Sequence, residues 1–298
     1  MGQIVVLGST NTDMVIKSAR IPAPGETILG GRFYMNPGGK GANQAVAAAR
    51  LGGDVVFIAK VGDDLFGRAS EALFKKEGMK PSLFIDPANA SGTALIMVDD
   101  QGENCISVAL GANGTLSPAD IAGERATIEG ASALLMQLET PIETVLTAAQ
   151  WASAKGVPVI LNPAPACALP DALFPCLSLI TPNESEAELL TGIRVTDDAS
   201  ARAASAALRA KGCAKVIITL GARGAFVDDG VTAVTVPACP VKAVDATAAG
   251  DVFSGALTVA VTEGKSLAEA VAFASKAAAI SVTRMGAQPS IPYRSEIV

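Results

Sequence analysis

The chain alternates short, continuously apolar runs with longer stretches whose apolar residues recur at helical spacing. The apolar runs are residues 4–7, 55–61, 133–138, 157–161, 177–180 and 216–219, and the amphipathic stretches are residues 42–51, 65–77, 141–155 and 199–211. Runs with so few polar residues fit strands of a parallel sheet that is buried on both faces. The alternation therefore predicts an α/β layered fold with right-handed crossovers.

Two segments interrupt this alternation. Residues 14–36 include a turn rich in Pro and Gly, and residues 93–108 place two apolar runs around an acidic turn, which is the pattern of a β-hairpin. Together they predict a small separate sheet that acts as a lid or covers its apolar side by dimerisation. The predicted division is a large α/β domain of residues 1–13, 37–92 and 109–298, and a discontinuous lid of residues 14–36 and 93–108.

Composition excludes several classes of protein. The 298 residues include no histidine, which excludes a Ser-His-Asp triad and any histidine base or metal ligand. A net charge of −6 and 4% aromatic residues argue against nucleic acid as a partner, because phosphate recognition needs a basic surface. The chain has no apolar stretch of about 18 residues and opens on a predicted strand, so we expect no membrane partner and no signal peptide. Five cysteines without a CxxC pair indicate reduced thiols and a cytoplasmic location.

Residues 244–253 are the most informative segment. The small residues Ala248, Ala249 and Gly250 lead into a helical pattern, so a helix begins near Ala248 and its free N–H groups can approach an anion closely. Asp251 would lie in the first turn, facing the same anion. The alternative interpretation is a capping carboxylate beside a turn whose residues are small for steric reasons alone.

A second glycine-rich segment, residues 36–44, leads into the helical stretch at residues 42–51. It lacks the spacing of a Walker A loop. It nevertheless offers free backbone donors, the ammonium of Lys40 and the amide of Asn43, which together suit a polyhydroxylated ligand. An ordinary turn from strand to helix remains the alternative interpretation.

Polar residues follow several predicted strands at their carboxyl ends, where open α/β sheets bind ligands. Asn11 and Asp13 follow the first strand, Glu139 follows the third, and a Gly-x-x-Gly loop at residues 219–224 follows the last. Neither this loop nor residues 8–11 has the GxGxxG fingerprint, which argues against a dinucleotide-binding dehydrogenase.

Asn183 and Glu186 follow another predicted strand and are three residues apart. A helix that begins here would place both on one face, where an amide and a carboxylate could orient Mg²⁺ through water molecules. Capping of that helix is the competing explanation.

Several of these segments match the motifs of one family. They are Gly39-Lys40-Gly41-Ala42-Asn43, Asp245 with Ala248-Ala249-Gly250-Asp251, and Asn183 with Glu186. They resemble the two signatures and the magnesium-associated motif of the ribokinase-like (PfkB) carbohydrate kinases. The likeness continues through residues 135–139, 162–166 and 286–290 and covers nearly the whole chain in order. It implies a three-layer α/β/α sandwich with a mainly parallel central sheet and a small β-sheet lid.

The resemblance also implies an activity. This is the ATP-dependent phosphorylation of D-ribose at O5, giving D-ribose 5-phosphate and ADP. The alternatives are the same reaction on another sugar, such as 2-deoxyribose, and a non-catalytic sugar-binding regulator on the same scaffold. The implied cofactors are ATP, Mg²⁺ and an activating K⁺, and the implied assembly is a homodimer formed through the lid.

The resemblance further assigns roles to individual residues. Asp251 matches the general base, and the backbone N–H groups of Ala248, Ala249 and Gly250 match an anion hole. The sugar-binding positions are Asn11, Asp13, Gly39, Lys40, Asn43 and Glu139, together with Asp251. The nucleotide-binding positions are Asn183, Thr219, Leu220, Gly221, Ala222, Arg223, Gly224, Gly250 and Ser275. The positions for the monovalent cation are Asp245, Thr247, Ser281, Arg284, Gly286 and Ser290, and Glu186 holds Mg²⁺ through water.

Overall fold

Two β-sheets and the helices that cover the larger one make up the fold in the computed structural model, which describes residues 2–297. The strands are β1 (Gln3–Leu7), β2 (Asn11–Lys17), β3 (Arg32–Gly38), β4 (Asp54–Gly62), β5 (Lys80–Asp86), β6 (Gly92–Val98), β7 (Asn104–Ala109), β8 (Ala133–Met136), β9 (Val159–Leu161), β10 (Leu179–Ile180), β11 (Val216–Thr219), β12 (Ala225–Asp228) and β13 (Ala233–Val236). The helices are α1 (Lys40–Arg50), α2 (Leu65–Lys76), α3 (Arg125–Glu129), α4 (Ile142–Ala154), α5 (Glu184–Thr191), α6 (Asp198–Ala210), α7 (Ala249–Thr262) and α8 (Leu267–Ser281). Within residues 2–297, no helix is long and apolar enough to cross a membrane.

The larger sheet has the strand order β13-β12-β11-β10-β9-β8-β1-β4-β5. Pairing is parallel from β11 to β5, whereas β12 pairs antiparallel with both of its neighbours. Alternate strand residues enter two apolar cores, one covered by α3 to α6 and the other by α1, α2, α7 and α8. The predicted three-layer sandwich is therefore confirmed.

Three strands of the larger sheet were absent from the sequence prediction. β5 and β13 are edge strands with few buried residues, so they lack the continuous apolar run by which most inner strands were recognised. β12 is an inner, buried strand, but its apolar run is only the three residues 225–227. β8 ends at Met136, two residues earlier than predicted, which leaves Gln137 just beyond the carboxyl end of a central strand.

The smaller sheet has the order β3-β2-β6-β7 and draws on both irregular segments, as predicted. β6 and β7 form the predicted hairpin, and Asp99 closes its turn by accepting hydrogen bonds from two turn N–H groups. The sheet extends further than the predicted lid, however. β2 begins at Asn11 and β3 continues to Gly38, because the register pairs these two residues directly. Asn11 and Asp13 therefore lie on the smaller sheet rather than on the larger one.

Candidate active site

The first turns of three helices meet at the carboxyl edge of the larger sheet and enclose a pocket of about 230 Å³. Lys40 begins α1, Asn183 precedes α5 and Asp251 lies in the first turn of α7. Asn162 and Thr219 contribute from positions at or just after strand ends. The structure thus brings together segments that the sequence analysis treated separately, at the edge where such sheets bind ligands.

Asp251 is the central carboxylate of this pocket and is only 5% exposed. Its Oδ2 accepts a hydrogen bond of 3.0 Å from Asn43 Nδ2, and its Oδ1 accepts one of 2.9 Å from Gln44 Nε2. Burial raises the pKa of Asp251, while the charge of Lys40 and the two amide donors act in the opposite direction. The carboxylate is held by side chains of α1, so the interpretation of Asp251 as a helix cap is not what the structure shows.

Glycines allow α1 to lie close enough to hold this carboxylate. A Cβ at Gly255 would come within 2.6 Å of the Gln44 carbonyl oxygen, so the two helices touch through their backbones. A Cβ at Gly41 would come within 2.5 Å of the Ser9 backbone nitrogen. Gly39 caps α1 with a φ of 87°, a conformation that favours glycine. The glycine-rich segment is therefore more than an ordinary turn, because Gly41 lets α1 lie against the backbone that follows β1, while Gly255 of α7 allows the close contact between the two helices.

The start of α7 has the predicted small residues, but not all of the N–H groups predicted to bind an anion are free. Ala248 is the N-cap with φ 61°, and its side chain provides no cap. The Ala249 N–H already donates to the Ala246 carbonyl at 3.2 Å, so one of the three predicted donors is occupied in this conformation. A Cβ at Gly250 would meet nothing within 4 Å, which leaves open space beside the helix start.

The predicted sugar-binding residues lie around a second carboxylate, Glu139. Its Oε2 accepts hydrogen bonds from Ser9 Oγ at 2.6 Å and from the Lys40 backbone N–H at 2.9 Å. Burial, together with the charge of Glu139, raises the pKa of Asp13 to about 6. Asn11 Oδ1 accepts from Asn113 Nδ2 at 2.8 Å, which leaves the Asn11 amide nitrogen as its free donor.

The ammonium of Lys40 is the positive charge among these acids. Burial alone would lower the pKa of Lys40, but the carboxylates of Asp251, Glu139 and Glu186 outweigh burial and raise it. Lys40 therefore stays charged where three acidic groups converge, which suits a ligand whose hydroxyl groups need both donors and acceptors.

A larger cavity of about 1010 Å³ adjoins the pocket and shares with it residues such as Asn183, Thr219 and Gly250. Its other predicted wall residues are Gly221, Ala222, Gly224 and Ser275, and the far wall is largely apolar. Two predicted nucleotide residues, Leu220 and Arg223, do not line it. Leu220 is buried in an apolar core, and Arg223 pairs at 2.5 Å with Glu184, which is itself a wall residue. Nucleotide binding by these two residues stays a prediction.

Asn183 and Glu186 form a capping box at the start of α5. Asn183 Oδ1 accepts from the Glu186 N–H, and Glu186 Oε2 accepts from the Asn183 N–H, each at 2.8 Å. Capping, the competing explanation, is thus what these groups do, although both also line the smaller pocket. Among residues 2–297, no group of three or more acidic, Cys or His side chains could hold a metal. The structure fits Mg²⁺ only as an ion held mainly by a ligand and water molecules, with Glu186 in its outer shell.

The residues predicted to bind a monovalent cation lie on two loops joined by Asp245. Its carboxylate accepts from the Thr247 N–H at 2.9 Å and from the Gly286 N–H at 2.8 Å. These hydrogen bonds lower the pKa of Asp245 despite its burial, so it stays ionised. The hydroxyls of Ser281 and Ser290 donate to carbonyls of their own turns, and Arg284 pairs with Glu296. The side chains of Ser281, Ser290 and Arg284 are thus already paired, so a K⁺ ion at these loops would depend on other oxygen atoms.

Three amide side chains of the site were absent from the prediction. They are Gln44 on α1, Gln137 just after β8 and Asn162 just after β9. Gln137 and Asn162 follow strand ends, as do Asn11 and Glu139. Gln137 was missed because it lay inside the predicted strand at residues 133–138, whereas Asn162 follows a strand end that was placed correctly, so the same rule could have selected it.

Comparison with known proteins gives concordant results. A model of the pfkB family of carbohydrate kinases matches residues 1–294. The ribokinase of Haemophilus influenzae is 46% identical over 294 residues, which are 98% of this chain and 96% of that protein. The deoxyribokinase of Salmonella typhimurium is 37% identical and covers 97% of this chain and 95% of its own length. The structure of Arabidopsis thaliana ribokinase complexed with ribose and ATP has a TM-score of 0.92 at 31% identity, covering 99% of this chain and 97% of that one.

Proposed function

The chain belongs to the pfkB family of carbohydrate kinases, and on that premise we propose that it is a ribokinase, which transfers the γ-phosphoryl group of ATP to O5 of D-ribose. The supporting observation is the position of Asp251. Its buried carboxylate lies in the smaller pocket, beside the helix start that this pocket shares with the larger cavity. A sugar in the smaller pocket and ATP in the larger cavity would meet there.

The proposed chemistry is one displacement. Asp251 accepts the proton of the O5 hydroxyl as O5 forms its bond to the γ-phosphorus, and the bond from that phosphorus to the bridging oxygen of ADP breaks. N–H groups at the start of α7 stabilise the charge on the transferring group, and the hydrogen bond of Ala249 to Ala246 opens for this purpose. Mg²⁺, when bound with the nucleotide, neutralises charge on the phosphates.

The proposed preference for ribose rests on the carboxylate of Asp13, which lies on the smaller sheet, and on three residues of the larger domain. Asp13, with Lys40, Asn43 and Glu139, offers both acceptors and donors to the sugar hydroxyls. A site built for a hydroxyl disfavours an analogue that lacks it, because a buried polar group is then left unpaired. 2-Deoxyribose is the second candidate substrate, and the likeness to the Salmonella typhimurium deoxyribokinase favours testing it. A non-catalytic sugar-binding regulator would retain the pocket but show no turnover.

Assembly and location are part of the same proposal. The smaller sheet serves as the lid and as the contact of a homodimer, and neither nucleic acid nor membrane is a partner. The five cysteines are free thiols, which suits the reducing cytoplasm.

K⁺ is proposed as the activating ion at the loops joined by Asp245. There it would stiffen the segment that precedes α7. Replacing potassium with lithium should reduce the rate severalfold in a steady-state assay. Equal rates across monovalent cations would contradict this site.

A coupled assay of ADP release over a panel of pentoses, hexoses and nucleosides tests the proposed activity. We expect the highest kcat/KM with D-ribose, with 2-deoxyribose lower by at least about tenfold. Product analysis should show phosphate on O5. A better substrate outside the pentoses, or no turnover with any sugar, would refute the assignment.

A further inference from the structure

We propose that Gln44 is a positioning residue that orients the Asp251 carboxylate through a chain of buried side-chain amides. The inference deepens the proposed function and rests on it, in that Asp251 is taken as the base. It concerns a side chain that lines neither the smaller pocket nor the larger cavity. Gln44 would therefore act through Asp251, without touching sugar or nucleotide.

Gln44 is fully buried and uses its whole amide group. Its Nε2 donates to Asp251 Oδ1 at 2.9 Å and to Asn162 Oδ1 at 3.0 Å. Its Oε1 accepts from Gln137 Nε2 at 2.6 Å. Any rotation of this amide would break hydrogen bonds in a place where water cannot replace them.

The direction of the amide chain is set at both of its ends. At one end, Asn162 Nδ2 donates to the Thr181 carbonyl at 3.2 Å, and a carbonyl can only accept. Asn162 must therefore turn its oxygen towards Gln44. At the other end, ionised Asp251 can likewise only accept. A flip of the Gln44 amide would place oxygen against oxygen on both sides, so only one orientation is stable.

The chain of amides links separate parts of the fold. Gln44 lies on α1, whereas Gln137 and Asn162 follow the neighbouring central strands β8 and β9. Asn43, on the same helix, donates to the other oxygen of Asp251 at 3.0 Å. The two carboxylate oxygens thus have one amide donor each, which fixes the plane of the group relative to the sheet.

The same contacts affect protonation. Burial raises the pKa of Asp251, and the hydrogen bond from Gln44 lowers it because an amide donor favours the ionised form. Removing this donor leaves burial less opposed, so the pKa of Asp251 should rise further. The base would then be protonated at a pH where the unmodified protein is active, and the acid limb of the kcat profile would move to higher pH.

The test uses Gln44→Met, which keeps the length of the side chain but removes its donors. We expect kcat at pH 7 to fall by at least about tenfold and to recover partly at higher pH, with the KM for ribose changed by less than about threefold. Carboxyl ¹³C NMR of aspartate-labelled protein, with Asp251 assigned from Asp251→Asn, should show its titration at higher pH.

Ser205→Ala is the matched control, because Ser205 is also fully buried and donates to a carboxylate, Asp228, at 2.7 Å. It should lower the melting temperature without moving the acid limb. If Gln44→Met does not fold, Gln137→Met tests the same chain one step further from Asp251. It should shift the acid limb in the same direction by a smaller amount.

The outcomes separate the two proposals. An unchanged acid limb and an unchanged carboxyl titration in the folded variant would show that Gln44 only packs, and would overturn the inference while the kinase assignment stands. A shifted titration in a protein that phosphorylates no sugar would overturn the proposed function and leave the positioning role in place.

Discussion

Asp13 and Asp251 show how neighbouring carboxylates acquire different properties from their surroundings. Burial raises the pKa of both. The charge of Glu139 acts in the same direction as burial on both groups, but at Asp251 two amide hydrogen bonds and the charge of Lys40 oppose them. The surroundings of Asp251 therefore stabilise its ionised form. Ionising Asp13 costs free energy until a bound ligand stabilises its charge.

Replacing Asp251 by Asn or Ala should lower kcat by about 10²–10³-fold, because a general base contributes a factor of this order. Sugar binding, measured by calorimetry, should be largely kept, since other side chains also hold the sugar. Near-normal turnover in either variant would show that Asp251 is not the base.

Asp13→Asn should stabilise the sugar-free protein above pH 6. The folded pKa of Asp13, about 6, is above the ordinary value of 3.8 for this side chain, so its stabilising contribution is complete below about pH 4 and is lost as the pH rises through 6. The variant should melt roughly 2–4 °C higher at pH 7.5 and equally at pH 4, measured by scanning calorimetry.

Asp229→Asn provides the comparison for Asp13, since hydrogen bonds from the Thr232 and Val231 N–H groups lower the pKa of Asp229. It should bring no stabilisation at pH 7.5. A gain in both variants would indicate a general charge effect rather than the burial of Asp13.

At the scale of elements, the contact between α1 and α7 builds the site. Gly255 lets the helices approach until the Gln44 backbone would touch an added Cβ, and this approach places Asn43 and Gln44 against Asp251. Gly250 has a different role, because an added Cβ there would meet open space. Gly255 allows the two helices to pack closely, whereas Gly250 leaves room for a ligand.

Gly250→Ala should therefore separate stability from activity. The fold has room for the methyl group, and alanine is favoured over glycine within a helix by about 0.5–1 kcal/mol. The melting temperature should stay equal or rise, while kcat/KM for ATP falls by about tenfold or more, because the methyl group occupies the approach to the helix start.

Gly123→Ala is the control for this prediction, since Gly123 also meets nothing within 4 Å but lies outside both cavities. It should leave activity unchanged. Full activity of Gly250→Ala would show that no ligand comes close to this residue.

At the scale of the whole molecule, the smaller sheet presents an exposed apolar face that extends over three of its strands. Cross-strand register places five large side chains on this face, and all of them are exposed: Ile16, Phe33, Met35, Leu95 and Met97. Exposed apolar patches on a sheet commonly mark an interface, and the face continues across three strands. This supports the proposed homodimer.

Leu95→Glu should yield monomers in sedimentation velocity, because a charge at the centre of the face would be buried without a partner. Leu29→Glu is the matched control: Leu29 is 96% exposed and lies outside the sheet. A monomeric unmodified protein, or a dimer that persists in Leu95→Glu, would contradict the proposed contact.

The layered fold could be predicted from sequence because its signals are local. Continuous apolar runs marked most inner strands, and small residues before an apolar helical pattern placed the start of α7 within one residue. The edge strands β5 and β13 lacked such a run, and that of the inner strand β12 is only three residues long. The loop at residues 219–224 was predicted as a unit, and the pattern did not indicate that Leu220 faces the apolar core.

Hydrogen-bond partners far apart in sequence could not be found in this way. Gln44 meets Asp251 across 207 positions and Asn162 across 118, and which amide faces which carboxylate depends on how closely α1 approaches α7. Local patterning was enough to specify strands, helices and the edge where the site lies, because periodicity and turn chemistry act over a few residues. The pairing of Asp251 with its two amides and the ion pair of Arg223 with Glu184 arose only when distant segments packed, because each depends on a distance that no local pattern encodes.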